Sequence, residues 1–536
     1  MASIGRASAA LASGTVVSRA LGFVNAAVLA WAIGQTGQGA NAFALANQLP
    51  NNVYAIVAGG LLTAVLVPHI VRSATHADGG QDFVNRLITL GITVFAGVTI
   101  VATLAAPALV TLYSFGGGSN ALSDGGVRLA VIFAYWCLPQ IFFYALYALL
   151  GEVLNARGVF GPFTWAPALN NVVVIATLLV FVALYGADPA HRDPATWDTA
   201  QIVLVAGGAT AGIAAQALVL LAFWPRTGLR FRPDFRWRGA GLGAPARAAG
   251  WTFAMILVTQ AAGVVQSNVA VTADADDPSL AVLRTTWLIF MLPHSIIAVS
   301  IATPYFTRMS EHARDGRLAD IRADLSAALR GVGLLVTGAA AALAAAAPPF
   351  AAVFANEARE VMPIAIVLLA FLIGLVPFSA LFLFQRGFYA LGDTRTPFLL
   401  QLVQSGLFVA GALGVLVVAP SAQVAAGIAL VTSVAGTAQT IVAAIVLRAR
   451  LGGLDGRRVV SRLGVYALAT VPAAAAGVAV LWLLGGTDGG WAVSGKLAGM
   501  LGVAAVGAVA LGVYLAVLLA ARVPELRGVV ALVRRR

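Results

Sequence analysis

The side chains with the clearest chemical potential in this sequence are ionisable groups inside long apolar stretches. Arg19 lies near the middle of the first stretch, and Arg284 and His294 lie in a later one. An ionisable group inside a bilayer costs roughly 3 kcal/mol or more unless it faces a partner or water. Two arginines in a central cavity would suit an anionic substrate, particularly a phosphate, because the guanidinium group can bind two oxygens at once.

Each of these residues also has a structural interpretation. The long side chain of Arg19 could extend to the membrane surface, and His294, directly after Pro293, could be a packed histidine with its ring nitrogens satisfied. Both interpretations stay open on the sequence. We expect Arg19 to face a cavity.

Motifs for catalysis or metal binding are missing from the sequence. It contains no HExxH motif, no phosphate-binding GxxxxGK[ST] loop, no CxxC pair and no nucleophile elbow. The single cysteine, Cys137, can form no internal disulfide. Apart from Glu152 at one edge, the predicted apolar spans hold no carboxylate. We therefore predict that the chain is not an enzyme, with no catalytic residue, metal site or cofactor.

Composition indicates a membrane protein with almost no water-facing domain. Hydrophobic residues make up 60% of the 536, and charged residues only 10%, against roughly 25% charged in a soluble domain. Stretches of about twenty apolar residues, the length that crosses a bilayer, recur throughout. They predict fourteen transmembrane helices near 10–34, 43–71, 84–114, 126–151, 160–185, 199–224, 246–270, 281–306, 325–354, 360–384, 397–419, 423–447, 461–485 and 493–521.

The arginines predict the orientation. With fourteen spans, 27 of the 33 lysines and arginines fall on the same side as the N-terminus, in connections, tails or the adjacent span ends. Basic residues concentrate in cytoplasmic loops, so we predict that both termini are cytoplasmic. The same placement in short loops explains the net charge of +12 without a nucleic-acid partner.

An internal repeat predicts two parallel lobes. Four residues recur 236 positions later in the same order: Pro68, Arg72, His76 and Gly80 match Pro304, Arg308, His312 and Gly316. Because each copy holds six spans, the copies are expected to be parallel, and such lobes commonly place a substrate site at their interface. The predicted domains are a six-helix lobe at 1–224, a basic linker at 225–245, a second six-helix lobe at 246–447, and a helix pair with a basic tail at 448–536.

The linker interleaves arginines with aromatic residues from Arg230 to Arg238. This pattern suits a segment that lies on an anionic cytoplasmic leaflet. A solvated basic loop is the alternative.

Many short motifs resemble the MurJ/MviN lipid II flippases of the MOP transporter superfamily, and the resemblance extends over essentially the whole chain. The most specific string is Phe388-Tyr-Ala-Leu-Gly-Asp-Thr-Arg-Thr-Pro397, and Ser18-Arg-Ala-Leu-Gly-Phe23 and Leu49-Pro-Asn51 are similar too. The resemblance implies an all-α polytopic fold of two six-helix lobes and a final pair. It also implies alternating-access transport of an undecaprenyl-diphosphate-linked peptidoglycan precursor, lipid II, to the outer leaflet of a bacterial cytoplasmic (inner) membrane.

The resemblance also implies a substrate cavity, and several of its charged positions differ here. Arg19 falls on the first cavity arginine of the family. Other charged family positions are occupied by neutral residues: Asn25, Asn41, Tyr54, Gly59 and Leu288. Arg284 lies one turn before Leu288, on the same helix face. The expected substrate-binding set is Arg19, Arg284, Asn25, Asn41, Tyr54 and His294.

Other functions remain open at this stage. They are a flippase for another polyprenyl-linked glycan, a MATE-like exporter, and a non-transporting scaffold that recruits cell-wall or division proteins through its basic cytoplasmic loops. A multidrug cation exporter would require an acid within the membrane. The partners expected for the preferred function are a lipid-linked glycan diphosphate and membrane lipids.

Overall fold

The computed structural model describes the backbone at residues 2–73, 80–115, 122–187, 189–236 and 246–526, and the side chains at 13–59, 80–115, 122–187, 189–236 and 250–526. This part of the chain is helical and contains no strand. Thirteen of its helical segments are long and apolar enough to cross a membrane. The prediction of an all-α polytopic membrane protein is confirmed. The long helix Gln38–Ser73 occupies the place of the second predicted span, and the number fourteen stays a prediction.

The chain divides into two compact units, Met1–Asp276 and Asp277–Arg536. The helices of the first unit are α1 (Ala2–Ile33), α2 (Gln38–Ser73), α3 (Gln81–Leu104), α4 (Ala106–Ser114), α5 (Asp124–Cys137), α6 (Gln140–Ala156), α7 (Gly161–Tyr185), α8 (Thr199–Ile202), α9 (Gly208–Leu218) and α10 (Ala246–Ala270). A π-helical segment, Val203–Gly207, joins α8 to α9, and the 3-10 segment Val219–Thr227 follows α9.

The described residues of the second unit form ten α-helices. They are α11 (Leu280–Pro293), α12 (Val299–Arg314), α13 (Leu318–Ala345), α14 (Ala347–Phe354), α15 (Ala358–Leu372), α16 (Leu375–Ala390), α17 (Arg395–Val418), α18 (Val424–Leu451), α19 (Gly456–Leu483) and α20 (Lys496–Ala520). The π-helical segment His294–Ala298 joins α11 to α12.

Several spans consist of two helices, and hydroxyl groups from neighbouring helices satisfy the carbonyls at the breaks. In the first unit, α5 and α6 are separated at Pro139, and Thr210 donates to the carbonyl of Trp136 at 2.6 Å. In the second unit, α15 and α16 are separated near Gly374, and Ser433 donates to the carbonyl of Ala370 at 2.7 Å. Broken helices persist in a bilayer when such partners satisfy their backbone.

Small residues allow close packing in both units. A Cβ at Gly14 of α1 would lie 3.0 Å from the ring nitrogen of Trp165 in α7. In the second unit, α19 and α20 form a pair that packs against α13. There Gly338 accommodates the ring of Tyr514, whose hydroxyl donates to the carbonyl of Leu334 at 2.8 Å. Close approach of this kind drives helix association in lipid, where burial gives little advantage.

The boundary between the compact units lies after Asp276, whereas the predicted lobes divide at the linker 225–245. Helix α10 packs against α2, so it belongs to the first unit. Of the repeated motif, residues 74–79 lie outside the described part of the chain, and the side chains of Pro68 and Arg72 are not described. The duplication and its lobe boundaries stay predictions.

Candidate functional site

Arg19 is placed by the packing of α1 on α7. Gly14, Ser18 and Gly22 recur every four residues, and this stripe faces α7: Asn171 of α7 donates to the carbonyl of Ser18 at 3.1 Å, and a Cβ at Gly22 would lie 3.9 Å from its side chain. Because successive helical residues are rotated by about 100°, Arg19 points away from the stripe. It is half-buried, and within the described residues it has no hydrogen-bond or ion-pair partner.

Asn25 lies two turns beyond Ser18 on the same side of α1. Its side-chain amide donates to the oxygen of Asn171 at 3.2 Å. Asn171 also donates to the carbonyl of Pro167, at 3.0 Å, inside α7. A proline cannot donate to the helix ladder, and a short amide network therefore joins α1 to the proline-containing turn of α7.

The candidates of α2 lie in different surroundings. Asn41 is buried, with 6% of its surface exposed. Tyr54 is half-buried between two rings, 5.8 Å from Phe95 and 5.7 Å from Tyr144 between centroids. At Gly59, a Cβ would overlap Cδ1 of Ile256 in α10. Glycine at this position therefore allows α2 to pack closely on α10.

Two neutral polar clusters in the first unit escaped the sequence reasoning, which concentrated on ionisable groups. Gln140 of α6 donates to Asn47 of α2 at 3.2 Å and to Thr210 of α9 at 3.0 Å. In the second cluster, the amide of Asn52 donates to the Tyr113 hydroxyl at 3.1 Å, and Gln260 donates to the carbonyl of Asn52 at 2.7 Å. The sequence signal that could have revealed these clusters is the recurrence of asparagine and glutamine in apolar stretches. These bonds tie together five helices of the unit.

The second unit holds Arg284 and His294 on consecutive segments. Arg284 is exposed on α11, and Leu288, one turn later, is half-buried. His294 begins the π-helical segment and is 4% exposed. Its Nδ1 lies 3.1 Å from the hydroxyl of Ser379, and its ring centroid is 4.6 Å from that of Phe378. These contacts favour the interpretation of His294 as a packed histidine.

Carboxylates are more deeply placed than the sequence predicted. Helix α13 begins seven residues before the predicted span, so Asp324, which is buried, lies in its second turn. Asp324 pairs with Arg308 at 2.7 Å and lies 3.3 Å from His312. Glu360, also buried, accepts the N–H groups of Asn356 and Glu357 near the start of α15. The expectation of no acid beyond Glu152 was wrong for Glu360, which is the first residue of the predicted span 360–384. Asp324 lies one residue before the predicted span 325–354.

The comparisons identify the family. The family model described as lipid II flippase MurJ matches residues 29–502. A probable lipid II flippase MurJ of Haemophilus influenzae is 27% identical over 406 residues, which cover 72% of this chain and 75% of that protein.

Two solved structures share the fold. The lipid II flippase MurJ in an inward closed conformation has a TM-score of 0.68 at 18% identity and covers 93% of this chain and 98% of that one. An inward-facing multidrug resistance MATE transporter of the MOP superfamily has a TM-score of 0.60 at 17% identity, over 81% of this chain and 96% of that one. The family consists of transporters, as predicted, and this multi-pass membrane protein belongs to the lipid II flippase MurJ family.

Proposed function

We propose that this protein moves lipid II, or a closely related undecaprenyl-diphosphate-linked glycan, across the inner membrane by alternating access. Family membership over residues 29–502 supports this proposal. The structural observation that carries it is Arg19, a half-buried guanidinium in a membrane helix with no partner among the described residues. Since an unpaired charge facing lipid is costly, such a group is expected to face water or an anionic ligand.

The proposed ligand of Arg19 is the diphosphate of the substrate. The guanidinium fork matches the spacing of two phosphate oxygens, and the loss of neighbouring family charges at Asn25, Asn41 and Tyr54 leaves Arg19 as the main cation of this region. Arg284 is proposed as a further cation that binds an anionic group, in place of the residue that the family has at Leu288. The neutral Asn25, Asn41 and Tyr54 would line the site of Arg19.

The carboxylates argue against a cation exporter. Asp324 is paired with Arg308, and Glu360 accepts two backbone N–H groups. Neither acid is therefore available to compensate a cationic drug inside the membrane. Two further acids near helix ends of this unit are also paired: Asp393 with Arg450 at 3.1 Å and Glu525 with Arg330 at 2.9 Å.

The proposal includes the orientation of the chain and the question of protein partners. We propose that both termini are cytoplasmic, because most arginines would then face the cytoplasm. Binding of cell-wall or division proteins to the cytoplasmic loops would be an addition to transport rather than a substitute for it.

Complementation tests the function. The protein is expressed in bacteria depleted of their own flippase, and lipid II on each leaflet is measured by its accessibility to an externally added enzyme that cleaves it. A flippase restores external lipid II and growth. If growth returned while lipid II stayed on the inner leaflet, or if neither returned with the protein present in the membrane, the proposal would be wrong.

A further inference from the structure

The segment after the sixth predicted span lies along helix α3 and belongs to no helix or strand. It is called the docked segment here and comprises residues 228–236. Gln81 accepts the N–H of Arg230 at 2.9 Å, Asn85 accepts the N–H of Arg232 at 3.1 Å, and Thr89 accepts that of Asp234 at 3.0 Å. The three acceptors are spaced four residues apart on the helix, and the three donors two residues apart on the segment.

The spacing of the acceptors on α3 matches the spacing of the donors on the docked segment, and this match explains the regular ladder of hydrogen bonds. Four helical residues rise about 6 Å, and two extended residues rise about 6.6 Å. Asn85 and Thr89 are buried beneath the segment. Pro233 lies between two donors and removes none of the N–H groups that the ladder uses. The segment is therefore fixed in register without belonging to a sheet or helix.

Ion pairs reinforce the same docking. Asp234 pairs with Arg86 of α3 at 3.0 Å and with Arg236 at 3.0 Å. Hydrogen bonds from Arg236 first, and from Arg86, hold the pKa of Asp234 well below its usual range. The carboxylate thus stays charged at any physiological pH.

The outward side of the docked segment is cationic and aromatic. Arg230, Arg232 and Arg236 are exposed, and so are the rings of Phe231 and Phe235. Just before the segment, Arg226 stacks on Phe223 at 4.9 Å. The segment directly follows a helical stretch, Thr199–Thr227, that is long and apolar enough to cross a membrane, so we expect these side chains near the lipid headgroups.

We propose that the docked segment is a built binding surface for anionic phospholipids of the surrounding membrane. The arginines bind headgroup phosphates, and Phe231 and Phe235 enter the interfacial region between them. The ladder on α3 holds the arginines and rings in place before lipid arrives, so little conformational freedom is lost on binding. This inference is independent of the transported substrate.

Spin labelling of the reconstituted full chain tests the proposal. Cys137→Ala removes the native cysteine, and Phe235→Cys carries a nitroxide whose accessibility to oxygen in the bilayer and to a nickel complex in water is compared. Vesicles contain phosphatidylcholine with or without phosphatidylglycerol. A second labelled protein, called the segment variant, also carries Arg230→Gln, Arg232→Gln and Arg236→Gln. The matched control loses three exposed arginines elsewhere, through Arg314→Gln, Arg457→Gln and Arg458→Gln.

With phosphatidylglycerol we expect the label to be shielded from nickel, and the shielding to weaken about fivefold for each arginine removed from the segment. High salt should weaken it too, and the control should keep it. The proposal is overturned if phosphatidylglycerol has no effect on the shielding, or if the control loses shielding as much as the segment variant does. It is also overturned if adding soluble pyrophosphate abolishes the shielding as completely as the three substitutions in the segment do.

Discussion

Arg19 shows how a neighbouring interface can orient a charge within a membrane helix. The stripe of Gly14, Ser18 and Gly22 fixes the face of α1 that meets α7. The guanidinium is consequently directed away from that interface, and Asn171 of α7 is already engaged by Asn25 and Ser18. A ligand bound at Arg19 would thus contact the guanidinium group itself rather than Asn171.

Replacing Arg19 should therefore reduce transport strongly. A charge-assisted bond to phosphate contributes about 1.5–3 kcal/mol, so Arg19→Ala should lower the rate of lipid II translocation tenfold or more. Arg19→Lys keeps the charge without the fork and should restore activity in part. Rates are measured in the complementation assay at matched expression. Full activity of the double variant Arg19→Ala, Arg284→Ala would contradict the diphosphate contact.

Asp393 provides a prediction of pH dependence. It accepts the N–H of Thr396 at 2.9 Å and pairs with Arg450. Burial alone would raise its pKa, but the bonds from Thr396 and the charge of Arg450 outweigh that effect and lower the pKa below the ordinary value. With a lowered folded-state pKa, stabilisation is present above the unfolded-state pKa, about 4, and is lost as pH falls through the folded-state value.

Asp393→Asn should accordingly lower the thermal unfolding temperature in detergent at pH 7. The difference from the unmodified protein should shrink as the pH falls below about 4. Arg450→Gln should show the same trend. A difference that stayed constant down to acid pH would mean that the carboxylate charge contributes nothing.

At the scale of elements, the docked segment is held on α3 by hydrogen bonds to Gln81, Asn85 and Thr89. Asn85→Leu removes the acceptor of the Arg232 N–H, so we expect faster hydrogen exchange in peptides covering 228–236, measured by mass spectrometry. Thr93→Val is the control, since that hydroxyl bonds only to the carbonyl of Thr89 in its own helix. Equal exchange in both variants would show that the ladder does not hold the segment.

The contact between α13 and α20 gives a second test at this scale. A Cβ at Gly338 would lie 2.6 Å from the ring of Tyr514, and a rigid ring in a packed core cannot move aside easily. Gly338→Ala should destabilise the protein by about 1–3 kcal/mol. Gly331→Ala, in the same helix with open space around it, should be neutral or slightly stabilising. Thermal unfolding in detergent compares the two, and a neutral Gly338→Ala would contradict the packing.

For the whole molecule, the proposed topology rests on the arginine distribution and can be tested directly. In a Cys137→Ala background, Ala2→Cys and Arg536→Cys should not react with a membrane-impermeant thiol reagent added to intact cells. Ala195→Cys, in a connection predicted to be external, should react. Labelling at either terminus from outside would overturn the cytoplasmic placement of both.

Composition and apolar periodicity were enough to predict an all-helical membrane protein and most span positions, because the cost of exposing polar backbone to lipid forces each apolar stretch into a helix. Arg19 and the family resemblance were also visible in the sequence. Packing decided the rest. The ladder of Gln81, Asn85 and Thr89 joins residues almost 150 positions apart, and burial of Asp324 depends on Arg308 of the preceding helix. Such pairings have no local signature, because they depend on which helix faces meet once the chain has folded.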